Sequence, residues 1–144
     1  MPAWAGGVVS SANKAKGTRF ESAVRNWLLD RRSKAWRPAQ SGHKDEGDVH
    51  LDNMVALQCK DATQQRYSQW VDDVNDQAVN AGLPYGAVVH KKRGRSVGES
   101  LVVMDLDTFH SMQRRLRVAE DFLWASNART AYESTIAEIE GADA

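Results

Sequence analysis

The chain has 144 residues, 42% of them apolar, 26% charged and 8% aromatic, which is enough for one domain with its own core and too little for two. Lysine plus arginine and aspartate plus glutamate number 19 each, so the formal net charge is zero, an unpromising balance for a nucleic-acid protein, whose usual mark is a strongly basic one. A lone cysteine, Cys59, excludes an internal disulfide and fits a reducing cytosol. No run approaches the roughly 18 uninterrupted apolar residues of a membrane span. The apolar stretch from Ala3 to Val9 has no basic residue before it, so it does not read as a signal peptide, and a cytoplasmic protein is the expectation.

Residues 1–15 are expected to form a flexible N-terminal arm. From Thr18 to about Lys34, Phe20, Val24, Trp27 and Leu28 fall at i, i+4, i+7 and i+8, the spacing of one buried helical face. Thr18, three residues before Glu21, resembles a capping box at the start of that helix. A short strand is expected near Arg37 to Gln40, followed by a polar loop that runs to Gly47. Asp48-Val49-His50-Leu51, the turn signal Asp52-Asn53 and the apolar run Met54 to Lys60 read as a hairpin. Tyr67 to Ala81 is predicted helical, with Trp70, Val74, Ala78 and Ala81 on one face, closed by Gly82 and followed by Pro84. Tyr85 to His90 is a strand, Lys91 to Gly98 a basic loop, Ser100 to Leu106 another strand, and Thr108 to about Glu140 is helical in two pieces. The order describes an α/β domain in which a hairpin-rich sheet carries helices on its faces.

Polar groups stand at three places where a core does not need them: Glu21 inside the first helix, Asp48 at the head of one strand, and Gln58 with Lys60 at the tail of its hairpin partner. With the turn at Asp52-Asn53, that head lies beside that tail. Gln58 and Lys60 are two apart and share a face, while Cys59 points the other way, into the core, as a small packed apolar group rather than a nucleophile. A carboxylate, a second oxygen donor and a lysine at a sheet edge form a working set for metal-assisted phosphodiester hydrolysis, and oxygen donors suit Mg²⁺.

Lys16-Gly17-Thr18-Arg19-Phe20-Glu21, Ser41-Gly42, Gly47-Asp48-Val49 and Gln58-Cys59-Lys60 together resemble the PD-(D/E)XK nuclease superfamily, and more narrowly the archaeal-type Holliday junction resolvases and their phage relatives. The likeness runs from about Lys16 to Leu106. It implies a restriction-endonuclease-like core over residues 16–115, a mixed central sheet flanked by helices, with a C-terminal helical extension over 116–144. It also implies Mg²⁺ or Mn²⁺ as cofactor, no organic cofactor, a homodimer, and symmetric cutting of four-way DNA junctions in recombination and repair, leaving 5′-phosphate and 3′-hydroxyl ends. Asp48 matches the family's metal-binding aspartate, Lys60 its catalytic lysine, Glu21 the glutamate that reaches in from the first helix, and Ser41 a serine near the scissile phosphate. The backbone carbonyl of Cys59 falls at the position that ligates the metal. Gln58 departs from the family pattern, which has Glu or Asp there, so the site carries one negative charge fewer.

Each of these residues also has an ordinary reading. Glu21 is then the partner of Thr18 in a cap, Asp48 a turn residue, and Lys60 a solvated strand end. The four histidines, 43, 50, 90 and 110, show no ligand spacing, which speaks against zinc, and His43 reads as a loop residue before a general base. Trp27 and Trp70 read as core. Ala128, Tyr132, Ile136 and Ile139 recur at helical spacing near the C-terminus, either packing on the chain's own domain or holding a partner. Other nucleases of the superfamily, flap-processing or restriction-like, share these motifs, and Gln58 also fits a branched-DNA-binding module without catalysis.

The zero net charge is an unequal sum. Residues 1–44 carry net +7, 45–89 net −6, 90–117 net +4 and 118–144 net −5. The basic blocks hold Lys14, Lys16, Arg19, Arg25 and Lys44, then Lys91, Lys92, Arg93 and Arg95, all candidates for DNA phosphate contacts that position the duplex without reading sequence. The first acidic block contains the candidate metal site.

Overall fold

The structure, a computed structural model, describes residues 11–39 and 44–143. It is an α/β fold with a five-stranded mixed sheet, in the order β1-β2-β3-β4-β5. The strands are β1 (Ala35–Trp36), β2 (Val49–Leu51), β3 (Val55–Lys60), β4 (Tyr85–His90) and β5 (Leu101–Val103). β3 and β4 pair in parallel, from Val55 opposite Tyr85 to Lys60 opposite His90, and the other neighbours are antiparallel.

The helices are α1 (Ser11–Asp30), α2 (Tyr67–Ala81), α3 (Leu106–Ala125) and α4 (Arg129–Ala142). α1 and α2 cover opposite faces of the sheet. Because side chains alternate along a strand, Val55 and Leu57 of β3 and Ala87 and Val89 of β4 join Phe20 and Val24 of α1 in the larger core, with Cys59 packed against it. Val88 packs with Trp70 and Val74 of α2 on the other side. β4 is buried along nearly its whole length, as expected of a parallel strand covered on both faces. Gly86 lets α2 close on it: a Cβ there would stand 2.6 Å from the Val74 carbonyl oxygen.

The hairpin turns where the sequence places it. Asp52 and Asn53 both sit in the left-handed region, φ 52° and 55°, the type I′ geometry whose twist matches the strands. Asp52 also ties the turn to the segment before β1, its carboxylate accepting the Lys34 N–H at 2.7 Å. α2 has the predicted bounds, with Gly82 at φ 68° as its left-handed cap.

Four expectations are corrected. α1 begins at Ser11, so residues 11–15 are helical rather than part of an arm, and Thr18 lies mid-helix, where it cannot cap. The first turns consist of good helix formers such as Ala12, Lys14, Ala15 and Lys16 with no buried side chain, so the apolar period starts later than the helix. β1 falls at Ala35–Trp36, opposite Leu51 and His50, ahead of the predicted Arg37 to Gln40. β5 is only three residues, and α3 starts at Leu106, because the Asp105 carboxylate accepts the Thr108 N–H at 2.7 Å and makes Asp105 the N-cap. The boundary expected between residues 115 and 116 falls inside α3. Among the described residues, no helix is long and apolar enough to cross a membrane.

Candidate active site

The site forms where β2 stops pairing with β3. The ladder ends at Val49 opposite Leu57, after which the Asp48 N–H still donates to the Leu57 carbonyl at 2.8 Å. Beyond that point the Asp48 side chain takes the place of the strand, its Oδ2 accepting the Cys59 N–H at 2.7 Å. Gly47 makes this approach possible, with φ 89° and a position from which a Cβ would meet the Leu57 oxygen at 3.2 Å. Asp48 is thus fixed by both its backbone and one carboxylate oxygen. Among the described residues, no hydrogen bond engages the other oxygen, Oδ1.

Burial pushes the Asp48 carboxyl up from 3.8 to about 6; the Cys59 N–H pulls it back, the charges of Glu21 and Asp45 raise it further, and Lys60 lowers it. Asp48 therefore lies within electrostatic reach of both Glu21 and Lys60, as the sequence predicts. Burial, with the charges of Asp48 and Glu21, pushes the Cys59 thiol far up, so Cys59 is held as a neutral packed thiol.

Glu21 reaches the site from the α1 side, where its Oε2 accepts from Arg37 Nη2 at 2.6 Å. Gln58 and Lys60 lie on the α2 face. Lys60 Nζ stands 5.5 Å from the centre of the Trp70 ring, which itself packs edge-on against Tyr67 and His90. His90 Nε2–H donates to the Ala62 carbonyl at 2.7 Å and Nδ1 meets the Tyr67 hydroxyl at 2.9 Å, which secures the chain just after Lys60. His50 likewise donates from Nε2 to the Glu46 carbonyl at 2.7 Å. Gln58 Oε1 is buried and has no hydrogen-bond partner among the described residues. A buried acceptor without a donor is unusual enough to require one.

Among the described residues, no three of His, Cys, Asp and Glu converge as a metal group. The oxygen donors divide between the two faces of the sheet: the Asp48 carboxylate stands at the strand edge with Glu21 within electrostatic reach on the α1 side, while the Gln58 amide oxygen lies on the α2 side with Val88. The two carboxylates are hard oxygens of the kind that suit a divalent ion such as Mg²⁺, and the structure does not bring Gln58 and Glu21 together.

Three residues that matter here are missed by the sequence reasoning. Arg37 neutralises Glu21 from beyond β1. Gln77 Nε2 and Asn80 Nδ2 of α2 donate to Asp45, to Oδ2 at 3.0 Å and to the carbonyl at 2.9 Å, while Asp45 Oδ1 accepts the Gly47 N–H at 2.9 Å. This clamp holds the turn that delivers Asp48. A signal for it is present: Gln77 is a polar residue at a buried position of the α2 face, seven after Trp70.

Beyond Lys60 and His90, at the carboxyl ends of the parallel pair, an open cleft is lined by Lys16 of α1, Asp61 and Thr63, and the loop residues Lys91, Lys92, Arg93 and Arg95. It continues past Arg66 and Trp70. The outer end of a parallel pair is the usual place for a ligand in open α/β sheets. Asp61 ion-pairs with both Lys16 (3.3 Å) and Lys91 (3.5 Å). Of the remaining predicted phosphate contacts, Arg25 bonds its neighbour Asn26, and Lys14, Arg19 and Lys44 are exposed away from this lining. Ser41 and His43 lie outside the described residues. Compared with family models, curated proteins and solved structures, the chain matches none.

Proposed function

We propose that the chain is a metal-dependent endonuclease of branched DNA, resolving four-way junctions by hydrolysis to 5′-phosphate and 3′-hydroxyl ends. The observation that supports this reading is Asp48 at the splay of β2 from β3, with Glu21 and Lys60 within its electrostatic reach, beside a cleft with five cationic side chains. Asp48 and Glu21 would hold Mg²⁺ or Mn²⁺, and the resemblance adds the Cys59 carbonyl and Gln58 to them. That ion supplies charge neutralisation at the phosphate and a water acidic enough to attack near neutral pH.

The chain's own groups do the rest. Lys60 presents an ammonium to the charge that builds on the phosphoryl oxygens as water adds at phosphorus and the 3′ oxygen leaves. The Cys59 N–H and the Asp45 turn keep the Asp48 carboxylate aimed. Lys16, Lys91, Lys92, Arg93 and Arg95 contact phosphates on either side of the cut. Symmetric cutting requires two sites and hence a homodimer, acting in the cytoplasm. Flap-processing and restriction-like nucleases use the same chemistry and differ in the DNA shape bound. A second reading, a branched-DNA-binding module without catalysis, draws support from the Arg37 clamp on Glu21 and the missing charge at Gln58.

The test is cleavage of labelled four-way junction, flap and linear duplex with Mg²⁺ or Mn²⁺, beside Asp48→Asn, Lys60→Ala and Arg37→Ala. The expected result is preferential junction cutting, reduced by about 10²-fold or more in the first two variants. Equal cutting of linear duplex removes the resolvase assignment. Junction binding with no cutting in any metal, Arg37→Ala included, establishes the inactive module.

A further inference from the structure

On the α1 face of the sheet lies a pocket of about 210 Å³ that shares no lining residue with the cationic cleft. Leu57 and Val89 of the parallel pair form its floor, Trp27 and Leu28 of α1 one wall, and Met104 and Met112 the side where α3 begins. No charged side chain lines it, and of the lining residues only Ser100 and Trp27 carry a side-chain O–H or N–H. Val102, 58% exposed, marks where it opens.

The walls are held in place by the chain itself. Arg31 lies 3.9 Å from the centre of the Trp27 ring and donates to the Trp27 carbonyl at 3.3 Å. The short helical turn Val97–Glu99 closes on the same indole, so that a Cβ at Gly98 would stand 3.0 Å from Trp27 Nε1. Glu99 fixes that turn by accepting from the Ser96 N–H and hydroxyl, both at 3.0 Å.

Two observations separate this pocket from a packing fault. Domain interiors seldom leave gaps larger than a water molecule, and a gap of about 150 Å³ with apolar walls takes up benzene. Ser100 Oγ, on the lining, is buried and has no hydrogen-bond partner among the described residues. Water serves it poorly, since a well-held buried water makes about three hydrogen bonds and these side chains offer few. An indole and two thioethers are groups that favour an aromatic ring, and a lining without charge disfavours an ion.

We propose that this pocket binds a small neutral aromatic molecule, one substituted ring or two fused rings, whose single polar group pairs with the Ser100 hydroxyl. The proposal stands apart from the nuclease reading, since it needs neither DNA nor metal.

The test is calorimetric titration of the full chain with benzene, phenol, indole and benzoate, with thermal unfolding beside it. Phenol and indole are expected to bind one per chain, to raise the Tm, and to bind more tightly than benzene by about three- to tenfold, the worth of one hydrogen bond. Benzoate is expected not to bind. Ser100→Ala is expected to keep benzene binding and lose the advantage of phenol and indole. Ser100→Leu, which fills the pocket with its own side chain, is expected to bind none of the four while unfolding no earlier than the native chain. Absence of phenol and indole binding up to their solubility limits overturns the proposal. So do benzoate binding as tight as phenol, undiminished binding by folded Ser100→Leu, or a phenol and indole advantage that survives Ser100→Ala. That last comparison removes only a hydroxyl, so it decides the matter whether or not the larger variant folds.

Discussion

Removing the carboxylate of Asp48 is expected to stabilise the metal-free fold. Burial, with Glu21 and Asp45 nearby, raises this carboxyl from 3.8 to about 6. A carboxyl that binds its proton more tightly folded than unfolded contributes stability while protonated, and loses it as pH climbs between those two values. Above about 6 the loss is complete, and a shift of about two units corresponds to about 3 kcal/mol. Asparagine resembles the protonated acid: it keeps an oxygen for the Cys59 N–H, but its amide N–H groups need partners, at a cost of about 1 kcal/mol. Asp48→Asn should therefore be more stable than the native chain by about 2 kcal/mol at pH 7.5, a rise in Tm of about 4–8 °C. The measurement is urea and thermal unfolding of both proteins in chelator-containing buffer at several pH values from 4 to 8. The advantage should shrink toward pH 4. A variant less stable than the native chain at pH 7.5, or a gap of constant size across the range, refutes the argument.

Two more expectations follow from contacts described above. Asp61→Asn releases Lys16 and Lys91 from their shared carboxylate, so junction DNA should bind more tightly at low salt, with the log–log salt slope steeper by about 1–2; unchanged affinity and slope in a salt titration would mean that the cleft is not the phosphate path. Gly86→Ala forces a Cβ against the backbone of α2 and should cost about 2–3 kcal/mol in denaturant unfolding, with the slope unchanged; a variant as stable as the native chain would show that α2 is free to move.

The elements that were legible in the sequence are those with strong local grammar. Asp52-Asn53 forces a tight hairpin, and the hairpin brings Asp48 beside Cys59, so half of the site follows from two residues and the period of a strand. The same period sends Gln58 and Lys60 to one face and Cys59 to the other. Gly82 and the Trp70, Val74, Ala78 spacing delimit α2. What was not legible depends on contacts distant in sequence. Arg37 meets Glu21 only because β1 pairs with β2 next to α1, and Gln77 reaches Asp45 across 32 positions. The parallel pairing of β3 with β4 is likewise a consequence of α2 crossing over the sheet, which strand periodicity does not specify. The early start of α1 was missed because solvated turns have no apolar rhythm to betray them.

Because β3 and β4 run in the same direction, two loops leave the sheet from adjacent points, one after Lys60 and one after His90. The strands' backbone ladders hold Lys60 in place, whereas the residues beyond Lys91, with Arg93 and Arg95 among them, form no part of a ladder. The wall of the cleft is thus modular: the length and charge of the 92–96 loop can be exchanged while Asp48 and Lys60 keep their positions. For an engineer, that loop is the natural graft point for changing the shape and charge of the cleft.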